Sequence, residues 1–166
     1  IVSRVIHASA DCEYATTMIL DDVAITAGEN ALRAGSPVLC DTEMVRHGIT
    51  VPSCICCLDE VGPLVRDGIT RSASAIRIAA KRHPVGAVVA VGCAPTALVE
   101  ILRLASEESF RPALVIGMPV GFVGAAESKR YLRESSLASV SNAGEKGGSA
   151  VTAAAVNALW HLAQVS

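Results

Sequence analysis

Short apolar runs alternate with longer amphipathic or Ala-rich stretches along most of the chain, and turn residues separate them. The runs PVLCD (37–41), SCICCLD (53–59), VGAVVAVG (85–92), RPALVIGM (111–118) and LASVSNA (137–143) predict five strands. Three are continuous Val/Ile/Leu/Ala stretches, the pattern of strands buried on both faces. The longer stretches predict helices near 1–11, 22–34, 64–82, 95–107, 124–135 and 148–163. Gly35 reads as a helix stop, Pro95 suits a first helical turn, and Thr42 starts a short helical turn in EMVRHG. Strand–helix alternation through the last two-thirds predicts right-handed crossovers and a mainly parallel sheet. The 166 residues show no internal repeat and no low-complexity linker, so the expectation is one α/β domain over 1–166.

Composition sharpens this picture. Half of the chain is hydrophobic (51%) but only 3% is aromatic, so Ala, Val, Ile and Leu must build the core. The Ala-rich tail GGSAVTAAAVNALW suits a helix lying close against a sheet or a second subunit. A net charge of −2 excludes a global basic field for nucleic acid, and anionic ligands must be met locally. No apolar run approaches the roughly 20 residues of a membrane span, and no signal-peptide pattern is present. The expected location is the cytoplasm.

The six cysteines are Cys12, Cys40, Cys54, Cys56, Cys57 and Cys93. SCICCLD has a functional reading as a metal or redox site. Its plain reading is one strand, with Cys54 and Cys56 on one face and Cys57 on the other. Zinc sites pair such a cluster with a second one, which this chain lacks, so no metal is expected.

Ligands of open parallel sheets bind beyond the strand carboxyl ends. Three loops there precede helices: AVGCAPTAL (90–98), GMPVGFVGAAESK (117–129) and NAGEKGGSA (142–150). Free N–H groups at such helix starts favour anions. Neither nucleotide fingerprint, G-x-G-x-x-G after the first strand nor G-x-x-x-x-G-K-[ST], is present. Part of these glycines simply permits tight turns. Among the histidines, His83 and His161 read as surface or packing residues, and His47 either lines a site or caps its short helix. A lone His such as His7 is more often structural. Arg71 is either a solvated helix residue or a carboxylate fork. Asp41 and Glu43 read as cap and turn residues.

An ordered series of motifs goes further: RVIHASAD, ALRAGSPVLCDTEMVRHGIT, TRSASAIRIA, AVVAVGCAPTAL, LVIGMPVGFVGAAESKRYL and GGSAVTAAAVNAL. Together they resemble the precorrin-8X methylmutase family, including its cobalt-precorrin-8 branch, over nearly the whole chain. The resemblance implies a flavodoxin-like three-layer α/β/α sandwich with a five-stranded mainly parallel sheet. It implies a homodimer that binds a corrinoid tetrapyrrole near the interface and moves a methyl group from C-11 to C-12, with no added cofactor. It assigns the catalytic histidine of the family's I-H-A context to His7 and the substrate-contacting arginine of its T-R-S-A motif to Arg71. With the strand-end loops it extends the substrate-binding set to Thr70, Arg46, His47, Thr50, Gly92, Cys93, Gly121 and Gly124.

Three departures accompany the resemblance. Cys93 stands where many members carry Asn in G-N-A-P-T-A, and a thiol is the poorer hydrogen-bond partner. The stretch between Thr50 and Thr70 is shorter than the family's usual loop. The family's N-terminal segment, with a substrate-contacting serine, is expected to be missing before Ile1, either left out of this sequence or lost by this member, and without it the pocket would be more open and the activity weaker. Two alternatives stay open: a corrin carrier without turnover, and a flavodoxin-shaped nucleotide or flavin module.

Overall fold

The computed structural model describes residues 1–62, 68–107 and 109–165. The order is α1 (Val2–Ser9), α2 (Tyr14–Thr17), β1 (Met18–Ile19), α3 (Asp22–Arg33), β2 (Val38–Cys40), α4 (Glu43–Gly48) and β3 (Cys54–Cys56). A 3-10 turn at Leu58–Glu60 follows, then α5 (Arg71–Arg82), β4 (Val88–Val91), α6 (Pro95–Ser106), β5 (Leu114–Gly117), α7 (Ala125–Glu134), β6 (Ser139–Asn142) and α8 (Ser149–Val165).

Among the described residues one sheet holds six strands in the order β1-β6-β5-β4-β2-β3. The five expected strands are parallel to one another. The sixth, β1, is a two-residue antiparallel edge paired with β6 and was not expected. The parallel order is that of a doubly wound, flavodoxin-like sheet, and its direction of winding reverses between β2 and β4.

Alternation along each strand builds two cores. Val38, Cys40, Val88, Ala90, Leu114 and Ile116 point into a layer shared with α1, α3, α4 and α8. Leu39, Val89, Val91 and Val115 point the other way, against α5, α6 and α7. Cys54 and Cys56 pack on the first face and Cys57 is buried on the second, as the alternation predicts.

Helix ends follow local chemistry. Gly35 at φ +81° closes α3, with the Ser36 N–H on the Ala31 carbonyl and the Gly35 N–H on that of Leu32. Pro95 is the first residue of α6. The expected strand 53–59 ends at Cys56, because Leu58–Glu60 turns into the 3-10 segment. The expected helix 64–82 begins at Arg71. The Thr70 hydroxyl accepts the Ala73 N–H and caps it there, while residues 64–67 lie outside the described residues.

One buried acid ties the second core layer together. Glu100 on α6 is 6% exposed and accepts bonds from Arg77 of α5 and from Arg103 Nη2 at 2.8 Å. Burial alone would raise its pKa, but the Arg103 and Arg77 guanidinium groups outweigh that and hold it below the ordinary glutamate range. A folded-state pKa below the unfolded one makes the unfolded chain the better proton binder in acid. The stabilisation is therefore complete above the ordinary glutamate value and lost as pH falls through the depressed one. Glu100→Gln is expected to cost about 1–3 kcal/mol at pH 7. It should also shrink the difference in thermal midpoint between pH 7 and pH 4, measured on both proteins. An identical pH dependence would show that the ion pairs add no stability.

Candidate active site

The strand order reverses between β2 and β4, and in such sheets ligands bind beyond the carboxyl ends of the strands at that point. Asp41, immediately after β2, is fully buried there. Its Oδ1 accepts the Gly92 N–H at 3.1 Å, and its Oδ2 accepts those of Cys93 and Ala94, both at 2.8 Å. Burial pushes its pKa up against the opposing pull of these three bonds. The turn role expected of Asp41 is thus corrected: it joins β2 to the start of α6 across the reversal point. The expectation of free N–H groups in the 90–98 loop is corrected with it, since a side chain of the same fold already occupies them.

Cys93 lies beside this junction. The Thr42 hydroxyl approaches its Sγ at 3.3 Å and the Ser149 hydroxyl at 2.9 Å, linking the starts of α4 and α8. Gly92 has no room for a side chain: a Cβ would meet Val45, Thr152 and Ser149 at 2.7–3.1 Å. Thr70 and Thr96 share a 2.7 Å hydroxyl bond between the starts of α5 and α6. Gly124, at φ +79°, begins α7 within reach of Pro95, and the Gly121 N–H donates to the Glu145 carbonyl. Arg71, exposed in the first turn of α5, donates to the Leu58 carbonyl at 3.2 Å.

A groove of about 480 Å³ lies at the start of α8. Ser9, Asp11 and Tyr14 line one wall, Met44 and Val120 another, and residues 147–151 its floor. The floor holds the first turn of α8, whose N–H groups have no i−4 carbonyl and which carries no acidic residue. Gly147 lets the chain pass under the end of β5: a Cβ there would sit 2.2 Å from the Met118 carbonyl oxygen. Lys146 Nζ bonds Asp11 and Glu13, each at 2.6 Å. Its own carbonyl accepts from Lys129 Nζ at 2.6 Å and Asn142 Nδ2 at 2.7 Å. Lys129 is fully buried, and that burial, with Arg133 nearby, pushes it down to about 8.

The remaining expected residues sit on α1, on α4 and just past its end, and both helices pack against α8. α1 runs antiparallel to α8, since Ser9 meets residues 149–151 while Ile1 and Arg4 meet Asn157, Ala158, His161 and Leu162. Val5 is fully buried, and His7, about 200° further round the helix, is exposed. His7 makes no hydrogen bond or ion pair among the described residues. Arg46 Nε bonds Glu43 at 2.6 Å. His47 Nδ1 donates to the Glu43 carbonyl at 2.7 Å, and Arg46 Nη2 lies 3.4 Å from its Nε2. Thr50 bonds Asn157 through both N–H and hydroxyl. That position is eight residues, about 12 Å, along α8 from its start. The chain therefore gathers Thr70, Arg71, Gly121, Gly124 and Cys93 at the strand ends, and leaves His7, His47 and Thr50 along the outer helices. The reading from sequence missed Asp41, Thr42, Ser149 and the Lys146 tie. For Asp41 there was a signal, an acid directly after a strand buried on both faces.

These features define a doubly wound α/β domain whose polar loops gather at the carboxyl edge of the sheet. The family model described as precorrin-8X methylmutase matches residues 1–162. The precorrin-8X methylmutase of Pseudomonas aeruginosa is 44% identical over 94% of this chain and 80% of its own. The cobalt-precorrin-8 methylmutase of Methanocaldococcus jannaschii is 39% identical over 96% and 77%. The solved precorrin-8X methyl mutase of Thermus thermophilus superposes with a TM-score of 0.86 at 38% identity, covering 98% of this chain and 84% of its own. The chain belongs to the precorrin-8X methylmutase family.

Asp41→Asn tests the junction. An amide offers one oxygen, and its NH2 would face N–H donors with nothing to accept. The expected cost is about 2–4 kcal/mol, the range for a buried polar group left unpaired. Urea denaturation would measure it, and a loss under about 0.5 kcal/mol, the scale of ordinary surface substitutions, would show that the 92–94 loop holds itself.

Proposed function

We propose that this protein is an isomerase of cobalamin biosynthesis that moves a methyl group from C-11 to C-12 of precorrin-8X, metal-free or cobalt-loaded. The observation that carries this reading is the near full-length similarity to methylmutases. The enzyme works in the cytoplasm as a homodimer and binds no nucleic acid or membrane. The described residues hold no helix long and apolar enough to cross a membrane. The dimer reading draws on the outward stripe of α8, where Ala150, Ala154 and Asn157 would let a second copy approach closely.

The migration is an internal rearrangement and consumes no electron pair from outside. A proton delivered to the conjugated ring polarises the framework, and its recovery releases the product tautomer. His7 supplies and recovers that proton. Its exposure on α1, with no side-chain partner, leaves both ring nitrogens available to a bound ligand. Such acid–base help is worth on the order of 10²–10⁴ in rate. The substrate's carboxylates are met by Arg71 and Arg46 and by the open first turn of α8. Thr70, His47, Thr50, Gly92, Cys93, Gly121 and Gly124 complete the binding surface, with Gly92 shaping it through its lack of a side chain. Holding the ring at several points selects the conformation in which the methyl can move.

Precorrin-8, free and cobalt-loaded, mixed with the protein should change its absorbance as the corrin chromophore forms. Binding without that change would favour a carrier. His7→Ala should lose turnover by on the order of 10²–10⁴ while product affinity stays within a few fold. Undiminished turnover would remove the proton role. Arg71→Ala should weaken binding about tenfold or more, as loss of a charged hydrogen bond does, with an unchanged melting point. Equal affinity with a lower melting point would make Arg71 structural.

A further inference from the structure

The cysteine cluster is left unused by the methyl transfer. Cys40 ends β2, Cys54 and Cys56 bound β3, and the parallel register sets Val38 opposite Cys54 and Cys40 opposite Cys56. Cys54 therefore lies diagonal to Cys40 on the same face of the sheet. Their Sγ atoms are 3.2 Å apart, and both are free thiols. A disulfide bond is about 2.05 Å long and usually joins Cα atoms about 4.4–6.8 Å apart, so closing it takes a sulfur approach of about 1.2 Å together with a shift of the edge strand β3 that brings the diagonal residues nearer.

The two thiols are presented differently. Cys40 is 1% exposed, while Cys54 is half-buried on β3, the edge strand, where a small reagent can reach it. The Cys40 thiol held against it is the largest influence lowering the Cys54 pKa, and the Arg46 charge adds to this against the opposing effect of burial. Cys40 itself is pushed up, chiefly by that same contact and then by burial. Burial raises Cys56 to about 12 and Cys57 above its ordinary value. Attack by a thiolate is what starts thiol oxidation, so this cluster has one favoured nucleophile with a second thiol behind it. Among the described residues no three His, Cys, Asp or Glu side chains converge to hold a metal ion.

We propose that Cys40 and Cys54 form a reversible, hydroperoxide-sensitive disulfide pair, with Cys54 attacking and Cys40 resolving. The Cys54 thiolate attacks the distal oxygen of a hydroperoxide and the O–O bond breaks. Cys54 becomes a sulfenic acid, and the peroxide's remaining oxygen leaves as hydroxide or alkoxide, taking up a proton. The Cys40 sulfur then attacks the Cys54 sulfur, the S–O bond breaks, and water leaves with the Cys40 proton. Two thiols are oxidised by two electrons and one peroxide is reduced, and a dithiol reverses the bond by exchange. Cys40 stands one residue before Asp41, so the bond would join β2 to β3 beside the Asp41 junction. It does not depend on the reaction assigned to the protein.

The test is peptide mapping of the fully reduced protein after hydrogen peroxide, with free thiols blocked before digestion. The expected product is a Cys40–Cys54 linked peptide, two hydrogens lighter than its parts, that disappears with dithiothreitol. Before oxidation, limited alkylation should modify Cys54 at least about tenfold faster than Cys56. Cys54→Ser should abolish the link and leave Cys40 as a free thiol. A Cys54 that stops at sulfinic acid beside a free Cys40, or a link from Cys54 to Cys56 or Cys57, overturns the proposal. So does a preparation in which both thiols stay unmodified while exposed Cys12 is oxidised.

Discussion

The Asp41 carboxylate is the interaction on which the site depends. A doubly wound sheet has a weak point where its strand order reverses, because the loops leaving β2 and β4 diverge and leave backbone N–H groups facing a gap. In nucleotide-binding relatives of this architecture that gap takes a phosphate. Here a side chain from one lip, bonded to Gly92, Cys93 and Ala94 on the other, fills the same electrostatic role. The choice has a consequence for ligand size. A small anion finds the position taken, and the open N–H groups nearest to it lie further out, in the groove at the start of α8. A large, flat, multiply charged ligand can span those points at once.

The same junction sets the cost of change nearby. Asp41 is buried at the edge of both cores, so its charge is tolerable only while all three N–H groups are in place. Cys93 and Gly92 belong to that loop. Both hold the carboxylate through their N–H groups, and Gly92 has Val45 and Thr152 where a side chain would go.

What was legible in the sequence was what periodicity encodes. The five parallel strands, the two faces of the cysteine strand, the Gly35 stop and the Pro95 start all follow from residues within a few positions of one another. The strand β1 did not, since two residues carry no period and β1 exists only because Met18 and Ile19 lie beside β6. The start of α5 at Arg71 was hidden because the apolar pattern runs on upstream, while the Thr70 cap decides the boundary. The site was less legible for a related reason. Asp41 acts on residues about fifty positions away, and Thr50 finds its partner at Asn157. Such pairings exist only once the sheet order is known. The family's motif pointed to His7 where residue type alone favoured a structural histidine.

A histidine on an outer helix needs something to fix it relative to the strand ends, and the Lys146 tie does this. Buried Lys129 and Asn142, at the far end of β6, hold the Lys146 carbonyl and so shape the glycine loop from beneath. The Lys146 ammonium then reaches across the groove to Asp11 and Glu13, just past the end of α1. Exposed ion pairs contribute little to stability, and these need not contribute much. Their effect is geometric: they couple the end of the helix bearing His7 to a loop that is itself fixed from the core. With Val5 packed on the other side, α1 is held at both its buried face and its carboxyl end. The imidazole thus projects from a rigid support although nothing among the described residues grips the ring, which is what the proposed proton transfer would need.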